Sequence, residues 1–291
     1  MLLALLQTLR PRQWIKNLFV AVPLVFSHQL TNPASALVAF AAVGLFCLIS
    51  GNVYIINDLL DLDKDRNHPK KRLRPLASGR LSPTVARNFG FISVPLALLL
   101  GALLEPWYAV WLASYFVLNL AYSLYLKRIA YVDVLSITLG FILRVLAGAA
   151  AVRAPASIWL ILCTALLAMF LGFGKRTHEL QLGKEQAEKQ RSALSGYHLT
   201  TLRWILYILA VATVTIYALY TQSSHVRELF ATDKLVYTSI FPCLGVIRFI
   251  QLIITRRDAE SPTEEMLKDP LFMSNFIVWL VLTISILYHW I

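Results

Sequence analysis

The stretch YIINDLLDLDKD, residues 54–65, sets four aspartates within eight positions at the end of an otherwise apolar run. On a helix advancing about 100° per residue, Asp61 falls about 60° and Asp65 about 20° from Asp58, and Asn57 lies on the same side. Asp63 points nearly opposite. Like charges on one helix face repel, and more strongly where a membrane lowers the effective dielectric. A divalent cation removes that repulsion, and an oxygen-only donor set favours Mg²⁺ over zinc. Asn57, Asp58, Asp61 and Asp65 are therefore the candidate metal ligands, with Asp58, Asp61 and Asp65 as candidate catalytic residues. Mg²⁺ binds through one or two carboxylates together with substrate phosphates, so a phosphate-bearing substrate is expected. The competing reading is a solvated acidic helix end balanced by the basic loop after it.

That loop, DRNHPKKRLRPLASGRL, carries Arg66, Lys70, Lys71, Arg72, Arg74 and Arg80. Arginine forks bind phosphate oxygens in pairs, and lysines add mobile point charges. An acidic face followed by a basic loop suits a metal–diphosphate complex. His68, between charged residues and next to Pro69, reads as structural rather than as a base.

The elements that must hold these residues follow from composition. Of the 291 residues, 58% are hydrophobic and 15% charged. A soluble domain would carry about 25% charged residues. Apolar runs recur near 14–30, 34–59, 84–104, 107–125, 130–152, 156–173, 200–221, 234–254 and 271–290, of a length to cross a bilayer as a helix, the first being short and broken by Pro23. The pattern predicts an all-α polytopic membrane protein with nine transmembrane helices in a single domain, 1–291. Cys47, Cys163 and Cys243 lie inside apolar runs without pairing or metal-ligand spacing, so they read as small buried hydrophobes. The opening MLLALL reads as an interfacial lead-in rather than a signal peptide.

Most of the 27 Lys and Arg fall on one side of these spans, including Arg10, Arg12, Lys16, the loop after span 2, Lys127, Arg128, the segment 175–203, Arg256, Arg257 and Lys268. Arg153, Arg227 and Lys234 fall on the other, and Arg144 and Arg248 within spans. By the positive-inside rule the basic side is cytoplasmic, which puts the N-terminus inside, the C-terminus outside and the acidic turn at the cytoplasmic face of the cell membrane. The net charge of +11 is then topology and anionic substrate, and nucleic-acid binding is excluded as a function class.

These residues resemble a known family. NDLLDLDKD matches the NDxxDxxxD signature of the UbiA superfamily of membrane prenyltransferases. RPRQWIKN (10–17), NDLLDLDKDRNHPKKRLRPLASG (57–79), YVDVLSITLGFILRVLAG (131–148), GKRTHEL (174–180) and SPTEEMLKDP (261–270) resemble its decaprenyl-phosphate phosphoribosyltransferase branch. The resemblance implies a UbiA-like helical bundle and a Mg²⁺-dependent transfer of 5-phosphoribose from phosphoribosyl diphosphate to a polyprenyl phosphate. Ordinary members carry a second aspartate-rich motif after span 6. Here GKRTHELQLGKEQ offers Lys175, Arg176 and Glu179 but no aspartate, which fits one metal-bound diphosphate and another anion held without metal.

On that reading Arg66, Lys71, Arg74, Lys175 and Arg176 neutralise phosphates, and Glu179 adds a ligand or orients Lys175. Lys16 and Lys127 clamp the acceptor phosphate or serve as interfacial anchors. Arg144, deep in span 5, is a substrate contact or the buried partner of another polar group, and the role of Asp133 stays open. Self-association is also open. Two alternatives remain: prenyl transfer onto an aromatic or other acceptor, and a transporter or flippase, which would place its polar cluster at the bilayer midplane.

Overall fold

The computed structural model describes residues 1–181, 192–255 and 262–290. Arg256, Arg257 and the 182–191 part of the basic segment lie outside them. Among the described residues the chain is helical throughout, without strands. Eight longer helices are labelled α1 Pro33–Leu60, α2 Pro83–Leu104, α3 Pro106–Leu124, α4 Val132–Ala151, α5 Ile158–Gln181, α6 Leu199–Thr221, α7 Ile240–Thr255 and α8 Pro270–Leu287. A 3₁₀ turn, Lys234–Ser239, leads into α7. Prolines open α1, α2, α3 and α8, where a missing N–H costs nothing. Asn32 caps α1 by accepting from the amides of Ala34 and Ser35.

Among the described residues, seven stretches are long and apolar enough to cross a membrane: α1, α2, α4, α5, α6, Lys234–Thr255 and α8. Large apolar side chains such as Phe40, Phe91, Trp204 and Val211 are exposed along them, which suits lipid rather than water. The chain is a multi-pass membrane protein. Two of the nine expected spans differ from the other seven. The helix α3 is 19 residues long, but its Trp, Tyr, Ser and Asn residues dilute its apolar character. The stretch 14–30 is not one helix. Pro11–Val20 winds as a 3₁₀ helix and Val22–Phe26 as a short α-helix, with Pro23 inside it.

The chain forms two compact units, Met1–Leu124 with Leu143–Ala156, and Tyr125–Ile142 with Ser157–Ile291. In the first, the 3₁₀ segment runs antiparallel to α1. Arg10 meets Asp58 at the end of α1, Asn17 meets Cys47 and Ser50 near its middle, and Leu24 shares a buried cluster with Ala39 near its start. The broken stretch thus covers most of the length of α1. Phe46, Ile49, Ala97, Tyr108, Leu112, Tyr115 and Ala147 form this unit's main core. The Tyr108 hydroxyl donates to the Ala42 carbonyl at 2.7 Å.

Lipid gives apolar surface no reason to leave it, so packing rests on close approach of small residues and on internal hydrogen bonds. Gly148 shows the first: an added Cβ would meet the Val20 carbonyl oxygen at 1.9 Å. In the second unit Phe170, Phe173, Leu202, Leu206 and Phe249 pack with Val134 at the start of α4.

Candidate active site

The acidic turn ends α1. Asp61 is its C-cap, with φ −97° and ψ 9°, and the chain resumes as the short helix Leu62–Arg66. The Asp65 amide donates to the Asp61 carbonyl at 2.8 Å, which carries the helical phase across the break. Asp58 and Asp65 are consequently buried together, each 2% exposed, while the Asp63 side chain is 93% exposed. Asn57 and Asp61 are half-buried beside them.

Two arginines meet the buried pair. Arg74 Nη1 donates to Asp58 Oδ1 at 3.1 Å and to Asp65 Oδ2 at 2.6 Å, so both carboxylates aim at one nitrogen. Arg10 Nη2 donates to the same Asp58 Oδ1 at 2.6 Å, and its guanidinium lies 4.6 Å from the centre of the Tyr54 ring. Two carboxylates converging on a point already filled by positive charge fit Mg²⁺, a hard cation that takes oxygen donors and retains waters. Among the described residues no three His, Cys, Asp or Glu side chains form a ready-made metal cage. An ion held here would draw its remaining ligands from Asn57, Asp61, water and substrate.

The basic loop divides in two. Arg74 points inward, whereas Arg66 and Lys71 are exposed, and Arg66 pairs weakly with Asp63 at 3.4 Å. His68 is structural, as its setting implied: Nδ1 accepts from the amides of Lys70 and Lys71 at 3.2 and 3.3 Å. Gly79 closes the loop at φ +77°, a conformation that favours glycine.

Further along the same unit, Arg144 is 7% exposed. Its Nε donates to Asn17 Oδ1 at 3.0 Å and its Nη2 to the Tyr115 hydroxyl at 2.7 Å, with the guanidinium 4.5 Å from the Tyr115 ring centre. Asn17 passes the chain of contacts on by donating to Ser50 Oγ at 2.9 Å. The exposed Lys16 sits one residue before Asn17 on the 3₁₀ segment.

The second unit holds its own charged cluster. Arg176, 2% exposed near the end of α5, has Nε 2.8 Å from Asp133 Oδ2 and also pairs with Glu179 one turn on. The Tyr197 hydroxyl donates to Asp133 Oδ1 and accepts the Tyr131 amide at 2.7 Å. That amide belongs to a residue at φ +65°, so Tyr197 holds a strained backbone in place. Burial, then the bond to the Asp133 carboxylate, pushes the Tyr197 phenol well above its ordinary value. Asp133 opens α4, where a carboxylate also suits the helix dipole. Lys175 is half-buried beside Arg176, and Lys127 half-buried in the turn Leu126–Arg128.

Sequence reasoning left Arg10, Asn17, Tyr115 and Tyr197 without roles. Arg10 and Asn17 begin and end RPRQWIKN, so the motif was the available signal. Nothing local marks Tyr115 or Tyr197.

The UbiA prenyltransferase family model matches residues 17–276. The decaprenyl-phosphate phosphoribosyltransferase of Mycolicibacterium smegmatis is 33% identical over 289 residues, covering 95% of this chain and 90% of the relative. The protein of the same name from Mycobacterium tuberculosis is 28% identical over 286 residues, covering 94% and 91%. A UbiA homologue from Archaeoglobus fulgidus, solved with GPP and Mg²⁺, has the same fold at 19% identity, with a TM-score of 0.71 and 98% of both chains covered. Its counterpart in the structure of a digeranylgeranylglyceryl phosphate synthase gives 0.66 at 18% identity, over 99% of this chain and 97% of that one. From Asn17 to Phe276, through the acidic turn of α1 and the charged end of α5, the chain belongs to the UbiA prenyltransferase family.

Proposed function

We propose that this membrane transferase moves 5-phosphoribose from 5-phosphoribosyl 1-diphosphate to a polyprenyl phosphate of the decaprenyl type, releasing diphosphate. The observation that carries the reading is the convergence of Asp58 and Asp65 on Arg74 with Arg10 alongside, a paired acid and base arrangement suited to a diphosphate and its cation. Likeness over most of the chain to relatives named decaprenyl-phosphate phosphoribosyltransferase supports the choice of sugar and lipid. Mg²⁺ held by Asn57, Asp58, Asp61 and Asp65 would supply positive charge to the departing diphosphate.

The chain's own groups do the rest. Asp58 and Asp65 fix the approach of the diphosphate, and Arg74 neutralises charge that builds on its oxygens as the C1–O bond opens. Arg66 and Lys71, exposed at the surface, close over the outer phosphates. Lys16, Lys127 and Lys175 serve the acceptor phosphate as point charges, and Arg144 adds positive potential from within the first unit. Arg176 and Glu179 act through the turn that carries Lys175. The acceptor phosphate is already an anion, so it attacks C1 without a general base. The reading includes one integral domain, nine crossings of the cell membrane and a cytoplasmic N-terminus and active site, in line with the charge asymmetry.

The test is transfer itself. Purified protein with Mg²⁺, polyprenyl phosphate and phosphoribosyl diphosphate labelled in the ribose should move label into the organic phase. Label left in water while a prenyl diphosphate is consumed in the presence of an aromatic acceptor would overturn the assignment in favour of prenyl transfer.

A further inference from the structure

We infer that Arg10 is a placeholder cation: it occupies Asp58 until a metal–diphosphate arrives, then moves to the diphosphate oxygens. The inference rests on the reading of the acidic pair as the metal and diphosphate site.

Asp58 Oδ1 accepts from Arg10 Nη2 at 2.6 Å and from Arg74 Nη1 at 3.1 Å. The oxygen that a metal would need is therefore engaged by two guanidinium groups. Arg74 can release it and keep its 2.6 Å bond to Asp65. For Arg10 the hydrogen bond to Asp58 is joined by stacking on Tyr54, and a guanidinium can pivot over an aromatic face without leaving it. Its side chain is about a third exposed, so a path outward exists.

The backbone beneath Arg10 is arranged to present it. Arg10 stands at φ 53° and ψ 65°, left-handed for a residue with a side chain, and directly before Pro11, which disfavours helical conformations there. The surroundings enforce this. Leu9 packs on α1 at Gly51, where a Cβ would meet Leu9 Cδ2 at 2.6 Å, and Trp14 Nε1 donates to the Leu9 carbonyl at 3.1 Å. Held strain of this kind belongs with sites where one side chain must be aimed.

A placeholder and a strut predict opposite signs. A placeholder competes with the metal for Asp58 but assists the diphosphate. Arg10→Gln should therefore bind Mn²⁺, titrated alone by electron paramagnetic resonance, about threefold or more tighter than wild type, because a competing charge is gone. The same variant should bind inorganic diphosphate in the presence of Mg²⁺ about tenfold or more weaker, as loss of a charge-assisted hydrogen bond predicts. Arg10→Lys, which keeps the charge without the fork, should fall between on both readouts and serves alone if the glutamine variant does not fold. Mn²⁺ affinity unchanged or weakened in a folded variant would overturn the placeholder role, as would unchanged diphosphate affinity. Failure of wild type to bind either probe would instead sink the functional reading beneath it.

Discussion

Arg176 Nε stands 2.8 Å from Asp133 Oδ2, and both side chains are almost wholly out of solvent. The start of α4 and the end of α5 are thereby joined by charge inside the second unit, with Glu179 on the far side of the same guanidinium and Tyr197 on the far side of the same carboxylate. Removing Asp133 leaves the buried guanidinium with Glu179 and takes away its fully buried carboxylate partner. Asp133→Ala is expected to cost about 3–5 kcal/mol, the usual penalty for an uncompensated buried charge. Tyr197→Phe, which removes one hydrogen bond, should cost about 1 kcal/mol. Equilibrium unfolding in detergent measures both.

Tyr197 also makes a prediction in pH. Its folded-state value is raised, so the folded protein holds this proton more tightly than the unfolded chain does. The resulting stability is fully present below the ordinary tyrosine value of 10.0 and is lost as pH climbs from there toward the folded-state value. Wild type should therefore lose stability relative to Tyr197→Phe above pH 10, and the two should run parallel below it. Thermal midpoints between pH 7 and about 11 would show the divergence.

The acidic turn contains its own control. On the proposed function, Asp58→Asn and Asp65→Asn should each lower phosphoribosyl transfer by about a hundredfold to a thousandfold, as loss of a charge-stabilising group at a reacting centre does. Asp63→Asn, on a side chain 93% exposed, should leave the rate near wild type. Steady-state kinetics on the three variants separates chemistry at one helix face from a general need for acidity.

Gly148 tests close packing. An added methyl would press on the Val20 carbonyl oxygen, a backbone atom that cannot swing aside. Gly148→Ala should destabilise the protein by about 1–3 kcal/mol or more. Alanine at Gly44, where nothing lies within 4 Å, should be tolerated. The midpoint of thermal unfolding in detergent is the measurement.

Much of the acidic turn was legible because helical phase is local. The 100° step alone puts Asp58 and Asp65 on one face and Asp63 on the other, and the structure has Asp58 and Asp65 buried and Asp63 exposed. The helix break at Asp61 was not legible, since Asp65 keeps phase across it. The partners of the buried acids were less so. Arg10 lies 48 residues from Asp58, and no periodicity relates positions on separate segments. The motif GKRTHEL marked Arg176 as a candidate phosphate contact, and it did not reveal the acidic partners Glu179 and Asp133, the latter from another helix. Apolar length found eight spans that fold as long helices, seven of them apolar enough to cross a membrane. It also marked 14–30 as a span, a marginal one broken by Pro23, and that stretch folds as a 3₁₀ helix followed by a short α-helix.

That broken run has a dimension of its own. A 3₁₀ helix rises about 2.0 Å per residue against about 1.5 Å for an α-helix, so the ten residues Pro11–Val20 reach about 20 Å instead of about 15 Å. Arg10 is pinned at one end of this ribbon and Asn17 along it, each to a different level of α1. The segment works as a ruler. Adding or deleting a single residue between the two pins would slide one about 2 Å out of reach and turn it about a third of a revolution. Between these two pins the number of residues, and not only their type, sets which side chain reaches which level of α1.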